Sequence, residues 1–172
     1  MGTSPTLNYK YFDPFNFASD DNFAILREAE LKHGRIAMLA VIGQIAPDLF
    51  WKSEIMEGVD PVYLSPSQDL YFQNVDSGLG ALSSIPIFGW LQIISFIGYL
   101  ENRVFVQKIK NAMPGDYGTG YFGVRNKGEN ERSLRSELEN GRLAMIAFLG
   151  QVIAELVTGL SPYEQIQQTL GK

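Results

Sequence analysis

Two stretches of this chain are near copies of each other. "ELKHGRIAMLAVIGQI", Glu30 to Ile45, aligns with "ELENGRLAMIAFLGQV", Glu137 to Val152, with nine identities in sixteen positions. Chance would supply about one, so the pair is an internal duplication. Each copy sets a carboxylate, an imidazole or amide, and an arginine at the head of an apolar run. Charge beside hydrocarbon is costly unless it is partnered. The fold must therefore bring these groups together.

Apolar residues at helical spacing mark three segments, at about 22–50, 82–106 and 133–158, within one domain covering residues 1–172. The stretch from Pro47 to Gly80 is rich in Pro, Gly, Asp and Ser and reads as a long loop, and "NAMPGDYGTGYFGVRNKGEN" reads as a second, Gly-rich connection. After Ser161, Pro162 suits the first position of a short C-terminal helix.

Hydropathy alone does not separate three membrane spans from a soluble helical bundle. A spanning helix usually needs ~18 or more nearly uninterrupted apolar residues. Here Glu155 interrupts the third segment, while the second, Ile85–Leu100, is broken by Pro, Gly, Ser and Gln92. Loop charge tilts the balance toward the membrane. From Asp48 to Asp76 there are six acidic residues and one basic, whereas Glu101 to Ser136 holds seven basic and four acidic. Lys10, Arg27, Lys32 and Arg35 lie on the N-terminal side of the first segment. With three spans, both basic regions share one side, as the positive-inside rule expects. The two copies then cross the membrane in the same direction, as in parallel repeats.

At about 100° per residue, Glu30, Gly34, Ala37 and Val41 form one helical stripe, matched by Glu137, Gly141, Ala144 and Phe148. Small residues on a stripe let two helices cross closely. At a two-fold crossing Glu30 meets Arg142 and Glu137 meets Arg35, so each charge gains an opposite partner. His33 and Asn140 share one repeat position, and Gln44 and Gln151 share another about three turns further on. The second segment adds Gln92 and Glu101, nine residues apart and so on opposite faces of a regular helix.

Single O and N donors spread along apolar helices do not suit a bare metal ion, which gathers several ligands at one point. They suit a metal already held by a macrocycle, which needs one axial donor. The absence of cysteine excludes disulfides and thiolate ligands. The net charge of −5 argues against a nucleic-acid partner. "MGTSPTLNYK" carries no apolar stretch of the signal-peptide kind.

"ELKHGRIAM" and "ELENGRLAM" resemble the paired ExxHxR and ExxNxR motifs of the chlorophyll-binding light-harvesting superfamily. The resemblance runs from about Tyr11 to Gln165. It includes "TGLSPYEQI" after the third segment and "YFDPFNF" before the first, and looks closest to the fucoxanthin chlorophyll a/c type. It implies an all-α membrane protein with three transmembrane helices, the first and third crossed about a pseudo-two-fold axis, plus a short C-terminal amphipathic helix. Glu30, His33, Glu137 and Asn140 are then chlorophyll magnesium ligands, with Gln92 and Glu101 on the middle helix and Gln44 and Gln151 as further ligands. Arg35 and Arg142 make the crossed ion pairs, and Asp13, Pro14 and Phe15 hold a carotenoid end group. A second copy of that segment is expected before the third helix, where only "YFGV" stands. Plant relatives carry a ligand glutamine where this chain has Ala154, so that site is lost or moved to Gln151.

The resemblance further implies chlorophyll a, chlorophyll c and a carotenoid, fucoxanthin before peridinin or a diadinoxanthin-type pigment. It implies a multi-pass protein of the plastid (chloroplast) thylakoid membrane with its N-terminus on the stromal side. Expected partners are a photosystem I or II core, neighbouring antenna subunits and thylakoid lipids. No enzyme activity is expected. The alternatives are a photoprotective member of the same family, a small transporter and a di-metal carboxylate bundle enzyme. The last is suggested by E-x-x-H, although the second copy offers Asn140 in place of histidine.

Overall fold

The computed structural model describes residues 12–50, 62–66, 69–106, 114–117 and 130–171, and within these the side chains of residues 130 and 131 are not described. The described residues form five α-helices and one small hairpin. These are α1 (Phe23–Phe50), β1 (Tyr63–Ser65), β2 (Leu70–Tyr71), α2 (Ala81–Ser84), α3 (Ile87–Tyr99), α4 (Asn130–Thr158) and α5 (Pro162–Thr169).

Local chemistry sets most of these boundaries. Ahead of α1, Asn22 Oδ1 accepts from the Ser19 amide at 2.7 Å. The carboxylate of Asp13 accepts from the amides of Phe17 and Ala18 at 3.0 and 2.9 Å, folding "FDPFNF" onto itself. Helix α4 closes at Gly159, whose φ of +69° is the left-handed C-cap conformation, with its amide donating to the Glu155 carbonyl at 2.8 Å. Two residues on, Ser161 caps α5 in a capping box with Glu164, and Pro162 takes the first turn.

The second expected segment is not one continuous helix. The ring of Pro86 disfavours helical backbone at Ile85, which is extended at φ −82°, ψ 129°. The chain therefore turns by 113° between Gly78–Ser84 and Ile87–Val104. Helix α3 starts after this break and ends in a π-helical turn, Leu100–Val104, where the Phe105 amide donates to the Leu100 carbonyl at 2.9 Å. Glu101 is the second residue of that π turn, so the regular α pitch from Gln92 ends just before it.

The Pro/Gly-rich connection is also more ordered than a loop where it is described. Tyr63 pairs with Tyr71 across an antiparallel hairpin. The Tyr71 hydroxyl lies 2.8 Å from the Tyr63 hydroxyl and donates to Asp69 Oδ1 at 3.1 Å. The hydrogen bond with Tyr63, then desolvation, then Asp69 push the Tyr71 phenol above its ordinary range.

Among the described residues one helix, Arg132–Thr158, is long and apolar enough to cross a membrane, and the bent pair built on α3 is a second candidate if it counts as one span. Helix α1 has the length, 28 residues, but Arg27, Glu28, Glu30, Lys32 and Arg35 fill its first half. The three segments expected from the sequence thus correspond to helices of unequal apolar character.

The contacts group the chain into two compact units. The first takes the described parts of residues 1–38 and 97–145, the second those of 39–96 and 146–172. In the first unit the backbones of α1 and α4 touch: a Cβ built on Gly34 would sit 3.0 Å from the Gly141 Cα, and one on Gly141 would sit 3.1 Å from the Gly34 Cα. In the second unit Asp48 and Glu155 are buried, and each holds another segment through its carboxylate. Among the described residues the buried apolar side chains are the small ones of Ala37 and Pro162, and no large side chain is fully enclosed. Ile87 and Phe88 on α3, and Ile146, Leu156 and Val157 on α4, are each more than 70% exposed.

Candidate functional site

The touching glycines let the charged heads of the two copies meet. Arg142 Nε donates to Glu30 Oε1 at 2.6 Å, and Arg35 Nε donates to Glu137 Oε1 at 2.6 Å. Each glutamate is thus held by the arginine of the other copy, an exchange that only a close crossing permits. The surroundings of the two pairs differ. Glu30 Oε2 also accepts from the buried Arg27 at 2.6 Å, whereas position 134, the repeat counterpart of Arg27, is Leu134. Arg35 in turn donates through a terminal nitrogen to the Gly115 carbonyl at 3.1 Å.

His33 and Asn140 flank these pairs and are exposed. His33 Nδ1 lies 2.7 Å from the Ala29 carbonyl. A carbonyl only accepts, so Nδ1 carries the proton and the neutral ring keeps its Nε2 lone pair for an outside ligand. Asn140 Nδ2 donates to Ser136 Oγ at 3.1 Å, which leaves its amide oxygen available. Both side chains are tied back by one turn of helix and offer an acceptor outward. A hydrogen bond of this kind, made behind the donor atom, fixes the orientation of a metal ligand.

In the second unit the amide oxygens of Gln44 and Gln151 are both enclosed and have no hydrogen-bond partner. An unpaired buried carbonyl costs about 1–3 kcal/mol, so a polar partner is missing at each. Gln151 and Ala154 line a cavity of about 480 Å³ together with Pro162, Gln165, Ile166 and Leu170. On α3, Gln92 is exposed between the exposed Leu91 and Ile93. Glu101, in the π turn, accepts from Lys32 Nζ at 3.0 Å. Asp13 spends both carboxylate oxygens on its own segment, while Phe15 stands exposed against Phe17 with ring centroids 5.6 Å apart. The "YFGV" segment expected to repeat that motif lies outside the described residues.

Several contacts were not legible beforehand. Arg27 as a second cation on Glu30 and Lys32 on Glu101 required the tertiary arrangement. Tyr117 packs against Lys32 and Arg35, its ring centroid 5.5 and 5.7 Å from their charged groups, and its buried hydroxyl has no partner. Burial pushes the Tyr117 phenol above its usual range, while the Lys32 cation pulls it down. Asp48 and Glu155 could have been found. They are related by the offset that relates Glu30 to Glu137, three residues beyond the end of the aligned stretch.

The donor set fits a macrocyclic magnesium better than a metal cluster. Among the described residues no three His, Asp or Glu side chains gather where they could hold a metal ion, so the di-metal alternative has no ligand set there. Outward-facing single donors on His33 and Asn140 are what one axial ligand per pigment requires, while the enclosed amide oxygens of Gln44 and Gln151 lack a partner within the protein.

Comparison with known proteins gives the family. The family model described as chlorophyll A-B binding protein matches residues 2–156. Fucoxanthin-chlorophyll a-c binding protein A of Macrocystis pyrifera is 36% identical over 154 residues, 84% of this chain and 67% of that protein. Fucoxanthin-chlorophyll a-c binding protein B of Phaeodactylum tricornutum is 36% identical over 153 residues, 84% of this chain and 73% of its own length. Chlorophyll a-b binding protein 4 of Arabidopsis thaliana is 33% identical over 166 residues, 93% of this chain and 65% of that protein. The chain belongs to the light-harvesting chlorophyll a/b-binding protein family.

Proposed function

We propose that this chain is a thylakoid antenna protein that crosses the membrane three times, with its N-terminus on the stromal side. On this reading it holds chlorophylls a and c with fucoxanthin and delivers excitation energy to a photosystem core through neighbouring antenna subunits. Bound chlorophyll supplies the light absorption and the magnesium that takes one axial donor. The chain's own part is positional.

Glu30 and Glu137 present carboxylates whose charge is balanced by Arg142 and Arg35, so they can ligate a neutral pigment at membrane depth. His33 Nε2 and the Asn140 amide oxygen are oriented by bonds to the preceding helical turn. Gln44, Gln151, Gln92 and Glu101 complete the ligand set, with the cavity beside Ala154 supporting Gln151 as the ligand at that end of α4. The Asp13–Phe15 turn exposes an apolar ring for a carotenoid end group. The wide exposed faces of α3 and α4 give pigment and lipid the apolar surface they need.

One observation carries this reading: two crossed carboxylate–arginine pairs, each flanked by a side chain that is tied back and offers a free acceptor outward. The test is isolation in mild detergent followed by pigment chromatography and fluorescence excitation. Chlorophyll a emission should be driven by light absorbed by fucoxanthin and chlorophyll c. A colourless preparation defeats the reading. In His33→Leu about one chlorophyll per chain should be lost while the remainder assembles.

A further inference from the structure

We infer that Lys32 is a positioning residue for Glu101, and that the π-helical turn Leu100–Val104 carries that carboxylate to it. The middle helix thereby gains its own version of the carboxylate–cation arrangement found in the two repeat copies. The inference rests on reading Glu101 as a chlorophyll ligand and says what that ligand needs in order to work.

Three observations carry it. Lys32 Nζ lies 3.0 Å from Glu101 Oε2 and 3.3 Å from Glu28 Oε1, so it is clamped between two carboxylates. Tyr117 lays its ring 5.5 Å from the ammonium group, which adds a cation–π contact. Glu101 stands in the one π turn among the described helices, and a π turn takes up an extra residue and re-aims the side chains within it.

The duplication sharpens the assignment. Glu30, Gly34, Arg35 and the apolar positions recur in the second copy, but the counterpart of Lys32 is Glu139, of opposite charge. A residue needed by the crossing itself would recur with the crossing. One serving the middle helix is needed once, because there is one middle helix. Lys32 follows the second pattern.

The physical reason concerns charge. An exposed lysine–glutamate pair in water contributes little. Once pigment and lipid cover the site, an ionised glutamate has lost its solvent and depends on a nearby cation. An amide ligand has no such dependence. Exchange of Glu101 for glutamine should therefore remove the need for Lys32.

The test is reconstitution in detergent with chlorophyll a, chlorophyll c and fucoxanthin, counting chlorophylls per chain and recording low-temperature absorption difference spectra. Glu101→Leu should lose about one chlorophyll, and Lys32→Met should lose the same band. Lys32→Met/Glu101→Gln should recover it, holding as much chlorophyll as Glu101→Gln alone. If Glu101→Leu keeps its full complement, the ligand reading falls and the inference with it. If Glu101→Leu loses a chlorophyll and Lys32→Met does not, the ligand stands and Lys32 is not its partner. If Lys32→Met loses pigment or fails to assemble and the double variant shows no recovery, the lysine acts through the fold alone and the inference is overturned.

Discussion

The duplicated helices keep their likeness in the first unit and lose it in the second. In the first, corresponding residues make corresponding contacts: Gly34 against Gly141, Arg35 on Glu137, Arg142 on Glu30. In the second, the corresponding acids Asp48 and Glu155 serve different segments. Asp48 accepts from the hydroxyl of Ser161, the cap of α5, at 2.9 Å, whereas Glu155 accepts from the Leu79 amide ahead of α2 at 2.7 Å. A crossing of two helices is one object shared by both copies, so neither half can drift alone. The attachments in the second unit are two separate objects. Each carboxylate needs only a donor, and any nearby amide or hydroxyl will serve.

The largest test of this contrast lies in the crossed pairs. Among the described residues Arg35 is the cation on Glu137, so Arg35→Leu strands that carboxylate, a loss approaching the roughly 3–5 kcal/mol of a broken enclosed pair. Arg142→Leu leaves Arg27 on Glu30 and should lose less, on the order of 1.5–3 kcal/mol for one charge-assisted hydrogen bond. Thermal loss of bound-pigment absorbance ranks the two. Equal losses would remove Arg27 from the account.

Next in size come the glycines. Gly34→Ala and Gly141→Ala should each destabilise by about 1–3 kcal/mol through overpacking, and by similar amounts because the contact is reciprocal. The double variant should exceed the sum, since the two new methyl groups meet each other. Additive losses would mean that the backbones are not in contact.

Gln44→Leu and Gln151→Leu move to the second unit. Each should lose about one chlorophyll in reconstitution, while the pigment-free chain gains or loses little, because an unpaired carbonyl is what is removed. A variant with full pigment would exclude that glutamine as a ligand. Ser161→Ala removes both the N-cap of α5 and the hydroxyl that donates to buried Asp48, a loss on the order of 1–3 kcal/mol. Faster hydrogen exchange should appear in Pro162–Thr169 and leave the Glu155–Leu79 attachment untouched. Spread to residues 78–84 would show that the two attachments are one device after all.

What could be read in the sequence follows the same division. The repeat located α1 and α4 and put Glu30 against Arg142 and Glu137 against Arg35, because a duplicated motif carries its own partners. Ser161 and Pro162 marked the start of α5 by local cap chemistry. The break at Pro86 was legible in principle but was overridden by the apolar run around it. The Tyr63–Tyr71 hairpin gave no alternating pattern, since two strands of three and two residues are too short to show one. The π turn and the Lys32–Glu101 pair were hidden because a wound-out turn has no sequence signature, and the two residues come from different helices.

The scarcity of enclosed apolar side chains among the described residues has an outcome for the life of the polypeptide. On the proposed reading, pigment supplies the covering that the chain lacks, so a copy without its cargo would keep wide apolar faces open to aggregation and proteolysis, and loading would be part of its maturation.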